Sequence, residues 1–220
     1  MSKVRVSTFS WVPQQIQGLV RDLRVRWALE EAGLEYEELL LDLARREHGA
    51  PAYRKLQPFG QVPAYMEEGL TLFETGAIVL RIAERCEALL PAADPGRARA
   101  QAWMFAALNS VEPFVFALVE ADALCAGQGW VAERRPVLLE RATRRLDDLA
   151  RVLDGREYLE ERFTAGDLLM ATVLRIPQGL PIMAGYPVLA AYLERCQARP
   201  AFQRALAAQL ACYARHAPAA

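Results

Sequence analysis

The sequence predicts a mixed α/β domain followed by an all-α domain, and three observations support this organisation. Across roughly the first 80 residues, patterns typical of strands alternate with patterns typical of helices. A short segment rich in proline and glycine interrupts the pattern at residues 91–96. Beyond it, apolar residues recur at helical spacing almost to the end of the chain. We therefore expect an α/β domain over residues 1–88, a linker over 89–96 and a helical bundle over 97–220.

The first domain is predicted to have the element order β-α-β-α-β-β-α. Val4, Val6 and Thr8 alternate with residues of the opposite face, which is the two-residue period of a strand. A helix is expected over 19–32, and Gly33 follows as its left-handed stop. The later elements are predicted as a strand at 36–43, a helix at 51–56, hairpin strands at 62–66 and 70–73, and a helix at 74–88.

The second half is expected to be helical throughout. Several prolines are expected to kink or end these helices: Pro113, Pro136, Pro177 and Pro181. The predicted helices span 96–124, 130–153, 165–179, 187–197 and 200–212.

Composition argues against several classes of protein. Apolar residues make up 53% of the 220 residues, which excludes a disordered chain. The 26 basic and 27 acidic residues nearly cancel, whereas a nucleic-acid binder usually has a basic excess. No uninterrupted run of about 18 apolar residues occurs, so we expect no transmembrane helix and no membrane partner.

The cysteine spacing and the N-terminus indicate a cytoplasmic protein without a metal site. No apolar signal segment follows Met1. The four cysteines lie far apart and form no C-x-x-C pair, a spacing that fits a reducing compartment. They are Cys86, Cys125, Cys196 and Cys212.

The most informative segment lies just before the predicted hairpin. It reads Gln57-Pro58-Phe59-Gly60-Gln61-Val62-Pro63. A proline at the start of a strand removes a backbone hydrogen-bond donor, so its presence at position 63 calls for a structural explanation. A cis Val62–Pro63 bond would supply one. The backbone of Val62 would then face an open cleft and pair with an extended peptide. The alternative is an ordinary proline turn ahead of the hairpin.

A second segment, Glu74-Thr75-Gly76-Ala77-Ile78, follows the hairpin at the start of a predicted helix. The free backbone N–H groups of a helix start, together with Thr75, suit a ligand carboxylate. Glu74 suits a ligand ammonium beside it. The alternative is a pair of residues that merely cap the helix.

These two segments resemble the glutathione-binding core of glutathione S-transferases. The C-terminal half adds Phe163-Thr164-Ala165-Gly166-Asp167, which is similar to the buried capping box of that family, and a final stretch over 186–202 that is similar to its last helices. The resemblance covers nearly the whole chain. It implies a thioredoxin-like N-terminal domain, a helical C-terminal domain, a homodimer and glutathione as co-substrate.

The resemblance also implies roles for individual residues. The Val62 backbone, ahead of Pro63, would pair with the cysteinyl part of glutathione, while Glu74 and Thr75 would hold the γ-glutamyl ammonium and carboxylate. Gln61 and His48 would reach the glycyl carboxylate, as in the plant phi-type members. The alternative for His48 is a solvated loop histidine. We read Arg54 and Lys55 as a solvated helix face.

The group that activates the glutathione thiol is where the sequence departs from the family. Members usually carry Tyr, Ser or Cys near the first helix, whereas alignment puts Leu19 at that position, and residues 11–27 contain none of these. Ser10 at the end of the first strand and Arg21 in the first helical turn are the side-chain candidates. Backbone N–H groups near Gly18 are a third, and structural roles for both side chains stay open.

The electrophile site is expected between the two domains, where small-ligand sites often lie. Its candidate lining residues are Trp11, Trp103, Phe105, Asn109, Phe114 and Phe116, which are alternatively core residues. The function implied is transfer of glutathione to a hydrophobic electrophile. A non-catalytic glutathione- or hydrophobe-binding protein and a glutathione-dependent isomerase, peroxidase or dehalogenase are the alternatives.

Overall fold

A computed structural model describes residues 4–218 and confirms the predicted fold class. The described chain packs as two compact units. One contains residues up to Leu89 together with the segment from Arg199, and the other is Leu90–Ala198.

The first unit is built on a four-stranded sheet with the order β2-β1-β3-β4. Strand β1 (Val4–Phe9) runs parallel to β2 (Tyr36–Leu41), with Val4 opposite Tyr36, and antiparallel to β3 (Tyr65–Glu67), which forms a hairpin with β4 (Leu70–Leu72). The helices are α1 (Asp22–Ala32), the short α2 (Pro51–Arg54) and α3 (Thr75–Ala83). The order β-α-β-α-β-β-α is therefore as the sequence predicts.

Helix α1 begins at Asp22, three residues later than expected. A 3₁₀ turn at Gln14–Ile16 and the positive φ of 77° at Gly18 extend the preceding loop and delay the helix. Gly33 ends the helix in the left-handed conformation, with φ of 64°, as predicted.

A buried polar cluster fixes the start of α1. The Asp22 carboxylate accepts hydrogen bonds from the Thr8 hydroxyl at 2.9 Å, from Arg26 Nε at 2.7 Å and from Gln209 Nε2 at 2.7 Å. Burial raises the pKa of Asp22, and the ion pair with Arg26 opposes that shift. The strand, the helix and the C-terminal segment are thereby joined through one carboxylate.

The last helix, α9 (Pro200–Arg215), packs against α1 in the first unit. Side chains bond this C-terminal segment to α1. Gln209 donates to Asp22, as described above, and the Arg199 Nε lies 2.6 Å from a carboxylate oxygen of Glu31. The sequence expectation puts all of residues 97–220 in one C-terminal domain, whereas the structure groups this helix with the sheet. The pairing depends on contacts between residues almost 170 positions apart, which local patterns do not report.

The second unit is helical. It contains α4 (Gly96–Phe105), α5 (Glu112–Val119), α6 (Val131–Leu153), α7 (Ala165–Leu174) and α8 (Pro187–Gln197). The π-helical segment Ala106–Val111 joins α4 to α5, and a second one, Glu120–Leu124, extends α5, so that one continuous helix spans Gly96–Leu124. Helix α6 continues through Pro136, whereas α7 ends at Leu174, shortly before Pro177.

The continuous helix Gly96–Leu124 contains an 18-residue window of mean hydropathy 1.5. By length and composition alone it could cross a membrane, although it contains no uninterrupted run of about 18 apolar residues. A third of that window is buried inside its own fold. Core helices of globular domains meet the same criterion, and α4 packs directly on α7.

Helix α7 is buried along its whole length and begins with the predicted capping box. The Thr164 hydroxyl accepts a hydrogen bond from the Gly166 N–H at 3.2 Å, and the Asp167 carboxylate accepts one from the Thr164 N–H at 2.9 Å. Asp167 also accepts from the Leu159 N–H at 2.9 Å and from the Tyr192 hydroxyl at 3.0 Å. With the Thr164 hydroxyl, which donates to it at 3.1 Å, the buried carboxylate has four donors, and these hold the helix start in place.

Candidate functional site

The loop before β3 is fixed on both sides of Val62. The Val62–Pro63 bond is cis, as predicted. On one side, the Gln61 carbonyl accepts a hydrogen bond from the Tyr53 hydroxyl at 2.6 Å. On the other, the Ala64 N–H donates to the Ser7 hydroxyl oxygen at 2.6 Å, and the Ala64 carbonyl accepts from the Ser7 N–H at 2.9 Å. These bonds use the residues flanking Val62 and Pro63 and not the Val62 backbone.

The direction of the hydrogen bonds between Ser7 and Tyr53 follows from counting protons. The Tyr53 hydroxyl has one proton, and the Gln61 carbonyl can only accept, so that proton goes to Gln61. The Ser7 hydroxyl, 2.7 Å away, must therefore donate to the Tyr53 oxygen while accepting from the Ala64 N–H. Burial raises the pKa of Tyr53, so the phenol keeps this proton at neutral pH.

Glu74 stands at the start of α3 in a strained conformation. Its φ is 68° and its ψ is 115°, a region that non-glycine residues rarely occupy. The first intrahelical bond of α3 runs from the Ile78 N–H to the Glu74 carbonyl at 3.0 Å, so the N–H groups of the preceding turn point out of the helix. The Glu74 side chain is exposed and makes no capping bond.

Thr75, the first residue of α3, is 7% exposed and contacts a buried arginine. Its hydroxyl oxygen accepts a hydrogen bond from Arg24 Nη1 at 3.3 Å, and Arg24 is 3% exposed. The start of α3 therefore joins a helix dipole, free amides and a nearby guanidinium, a combination that suits an anion.

An aromatic pair brings the two segments together. The ring of Phe59, in the loop before Val62, packs edge to face on Phe73, directly before Glu74, with centroids 6.0 Å apart. The loop carrying Val62 and the helix start carrying Thr75 are thereby neighbours in the first unit. This juxtaposition is the one that the sequence predicts for a bound peptide.

His48 lies on a basic cavity of about 650 Å³ in the same unit. Its ring packs edge to face on Phe9, with centroids 5.3 Å apart, and its carbonyl oxygen lies 2.9 Å from where a Cβ on Gly60 would sit. Gly60 has a φ of 64°, so this close approach requires glycine. The residues that line the cavity are Arg45, Arg46, His48, Gly49, Ala50, Arg54, Phe59 and Gly60.

Arg54 is exposed, as expected from the sequence, and its side chain also bonds to two loop carbonyls. Its guanidinium donates to the Gly49 carbonyl at 3.2 Å and to the Pro58 carbonyl at 3.1 Å. It therefore ties the His48 turn to the loop before Val62. Gln61, the other residue expected at the glycyl carboxylate, has an exposed side chain next to this loop.

The two side chains considered for thiol activation lie in the loop between β1 and α1. The Ser10 hydroxyl donates to the Leu41 carbonyl at 3.3 Å, which gives it a backbone partner. Arg21 is half-buried at the N-cap of α1. Leu19, in the position where the family resemblance puts a serine, is 39% exposed.

The residues expected to line an electrophile site fall in both units. Trp11 is half-buried in the loop after β1 of the first unit. In the second unit, the Trp103 indole N–H donates to Glu160 at 3.2 Å, Asn109 is exposed, and Phe114 lies under the Arg145 guanidinium at 4.7 Å. Phe105 and Phe116 are 61% and 37% exposed.

Several residues of this site carry no signal in the sequence. Ser7, Tyr53 and Arg24 are separated from the loop or helix start that they support by about 10 to 60 positions. Ser7 reads only as one position of an alternating strand, and Tyr53 as one residue of a short helix. Among residues 4–218, no group of three or more His, Cys, Asp or Glu side chains is placed to hold a metal ion.

The fold and this site define a class: proteins that join a thioredoxin-like domain, with a cis-proline in the loop before its third strand, to a helical domain. The family model for the glutathione S-transferase N-terminal domain matches residues 15–84. Over 200 residues, the chain is 32% identical to glutathione S-transferase 3 of Zea mays, covering 84% of this chain and 88% of the maize protein. The chain belongs to the glutathione S-transferase family, as its motifs predict.

Two further comparisons extend this result. The chain is 31% identical over 189 residues to the maleylacetoacetate isomerase of Rhizobium meliloti, covering 83% of this chain and 89% of that protein. A glutathione transferase from Burkholderia graminis, solved with two glutathione molecules bound per subunit, has the same fold, with a TM-score of 0.79 and 24% identity. That comparison covers 93% of this chain and 87% of the solved one.

Proposed function

We propose that this protein is a glutathione transferase that delivers the glutathione thiolate to a hydrophobic electrophile. The observation that supports this most is the Val62 backbone, fixed on both sides and neighbouring the Thr75 helix start through the Phe59–Phe73 contact. An extended tripeptide can lie across these two segments, pairing with Val62 as an added strand would.

Each part of glutathione has a candidate partner in this arrangement. The cysteinyl backbone pairs with Val62, ahead of Pro63, and the γ-glutamyl group lies at α3, with its carboxylate on Thr75 and its ammonium on Glu74. The glycyl carboxylate lies near Gln61 and His48, where the arginines of the adjacent cavity favour an anion. No resident metal has a part in this proposal.

The thiol is activated by groups in the loop between β1 and α1. Free thiols are mostly protonated at pH 7, and only the thiolate attacks. Arg21 supplies positive charge, Ser10 a hydroxyl group and the backbone near Gly18 its amide protons. Since the Ser10 proton already goes to Leu41, Ser10 must turn its hydroxyl away from that carbonyl to serve the sulfur.

The electrophile is held by aromatic and polar side chains, with Trp11, Trp103 and Asn109 as the proposed contacts. In the reaction with an aryl halide, the sulfur forms a bond to carbon and the halide leaves. Such conjugation suits a detoxifying role in the cytoplasm.

We further propose a homodimer, supported by the exposed aromatic pair. Phe59 is 64% exposed and Phe73 is 38% exposed, and such a patch next to a ligand loop is typical of an interface. Light scattering should report twice the mass of one chain, and Phe59→Ser should shift it toward the monomer. A monomer at micromolar concentrations in the unchanged protein would contradict the proposal.

A steady-state assay with glutathione and a generic aryl halide tests the function. The unchanged protein should form the conjugate with saturable dependence on glutathione, and Thr75→Val should raise the KM for glutathione about tenfold, the worth of one hydrogen bond to a charged group. The matched control is Thr71→Val on exposed β4, which should change neither constant. Absence of conjugation despite tight glutathione binding would favour a binding protein.

A second candidate function is glutathione-dependent isomerisation. The similarity to the Rhizobium isomerase favours it, because that relative matches the chain over a length close to that of the maize transferase. Assaying maleylacetoacetate beside the aryl halide separates the two. If maleylacetoacetate is turned over faster than the aryl halide, and glutathione is regenerated and not consumed, isomerisation becomes the favoured function.

A further inference from the structure

Arg24 is a buried cation whose guanidinium reaches the start of another helix. It lies on α1, 51 positions before Thr75, and only 3% of it is exposed. Burying a guanidinium is costly unless its N–H groups find acceptors. One of them, Nη1, donates to the Thr75 hydroxyl oxygen at 3.3 Å.

This contact decides how the Thr75 hydroxyl can be used. A guanidinium has donors only, so Arg24 donates and the Thr75 oxygen accepts. The hydroxyl proton cannot point at Arg24 and must be directed elsewhere. Thr75 stands at the first position of α3, where the backbone N–H groups also point out of the helix, and 7% of it is exposed there.

The positive charge of Arg24 favours a bound anion, as does the Thr75 hydroxyl proton, which is directed away from Arg24. Arginine stays protonated at all ordinary pH values, and charge is screened less in a buried position than at the surface. A carboxylate at the helix start therefore meets a hydroxyl donor, several amide donors and a nearby positive charge, all of which favour an anion.

We propose that Arg24 is a positioning residue that selects for the α-carboxylate of the γ-glutamyl group, acting through the Thr75 hydroxyl. The inference rests on the proposed glutathione site and adds to it the ligand group that Arg24 helps to recognise. Arg24 contributes in two ways: it makes the Thr75 hydroxyl a donor to the ligand, and it adds positive charge near the carboxylate.

A pair of ligands isolates this effect. Glutathione and γ-aminobutyryl-cysteinylglycine differ only in the α-carboxylate, so the ratio of their dissociation constants measures recognition of that group. Calorimetry on the full chain should give a ratio of roughly 10 to 100 in favour of glutathione, as for a hydrogen bond to a charged group. Arg24→Met should reduce the ratio about tenfold, and Arg24→Lys, which keeps charge and donor, should restore most of it.

Controls separate this role from a structural one. Arg81→Met removes an arginine from α3 itself, on the Glu67 side, and should leave the ratio unchanged. If Arg24→Met weakens both ligands equally, Arg24 is only structural and the inference is overturned. The same holds if the ratio in Arg24→Met equals that of the unchanged protein.

Two further outcomes are distinguishable. If Arg24→Met does not fold, Arg24→Gln decides, because its amide removes the charge but keeps an N–H donor in the buried position: a ratio unchanged from that of the parent overturns the inference, and a several-fold smaller one supports it. If the unchanged protein binds neither ligand, the proposed glutathione site itself fails. If it binds both equally, the γ-glutamyl part of that site fails and the Arg24 inference with it.

Discussion

The Tyr53 hydroxyl donates to the Gln61 carbonyl at 2.6 Å, which fixes the residue directly before Val62. Tyr53 belongs to α2 and Gln61 to the loop before β3, so this bond joins the short helix to the proposed peptide-pairing edge. The Ser7 hydroxyl completes the chain by donating to Tyr53 and accepting from Ala64. The proposed glutathione-pairing edge is thus held by a serine of β1 and a tyrosine of α2.

Tyr53→Phe tests this support. The change removes the Tyr53 hydroxyl from the part-buried Gln61 carbonyl and from the fully buried Ser7 hydroxyl. Loss of a partner by the buried group costs about 1–3 kcal/mol of unfolding free energy. Glutathione affinity should fall as well, because the Val62 edge is no longer held. Urea denaturation and calorimetry measure the two effects.

The matched control is Tyr158→Phe in the second unit, where the tyrosine ring packs on Phe163 with centroids 5.7 Å apart. It should change stability by less than about 0.5 kcal/mol, as substitutions away from special features usually do. Equal losses of stability in the two variants would show that the hydrogen bonds of the Tyr53 hydroxyl do not stabilise the protein.

Glu74→Gly should separate strain from binding. Because Glu74 has a φ of 68°, glycine should relieve part of a strain that is typically about 1–3 kcal/mol and should raise the melting temperature. Loss of the carboxylate should weaken glutathione binding at the same time. Thermal denaturation and calorimetry report these opposite changes.

Glu74→Ala serves as the control for this prediction. It removes the same carboxylate but keeps a Cβ at positive φ, so it should weaken binding without the gain in stability. If Glu74→Gly melts no higher than Glu74→Ala, the backbone there stores no strain.

Gly166→Ala should destabilise the second unit. A Cβ at Gly166 would lie 2.6 Å from the Trp103 Cβ and 3.2 Å from the Ala100 carbonyl oxygen, so the helices must move apart. Overpacking of this kind costs about 1–3 kcal/mol or more. Gly96→Ala is the control, since its Cβ would meet Pro91 at an ordinary 3.5 Å. Similar melting temperatures for the two variants would contradict this packing.

The pH dependence of stability should reveal the buried Asp167. Burial raises its pKa above the ordinary 3.8, so the folded state holds the proton more tightly than the unfolded state does. Its contribution is therefore present below pH 3.8 and is lost as pH rises through the raised value. The stability of the unchanged protein minus that of Asp167→Asn should fall as pH rises through this window, measured by urea denaturation at several pH values.

Glu67→Gln provides a control of opposite sign. A hydrogen bond from Arg85, at 2.7 Å, holds the pKa of Glu67 below its ordinary 4.5. The contribution of Glu67 is therefore present above pH 4.5 and is lost as pH falls through the lowered value. Slopes of the same sign for the two variants would contradict the assigned shifts.

The sequence predicts the order of the elements and the two ligand segments because each has a local cause. Pro63 at a strand start and Thr75 at a helix start are visible within a few residues of chain. The later start of α1 depends on Gly18, whose positive φ lengthens the loop, and helical periodicity alone does not report it.

The support behind the site could not be predicted from local patterns. Ser7 meets Tyr53 across 46 positions, Arg24 meets Thr75 across 51, and Gln209 meets Asp22 across 187. Within its own segment, each of these residues looks ordinary, as a serine of a strand or an arginine of a helix does, and nothing nearby in the sequence indicates its partner. Only tertiary packing gives these residues their partners.

The ionisation of bound glutathione tests the central claim most directly. Thiolate absorbance is followed against pH for glutathione bound to the unchanged protein, to Ser10→Ala and to Arg21→Ala. We expect the thiol pKa of bound glutathione to lie one to two units below that of the free tripeptide, an effect that one hydrogen bond to a charged group of about 1.5–3 kcal/mol can supply. A bound thiol that titrates like free glutathione would contradict a transferase and leave a glutathione-binding protein.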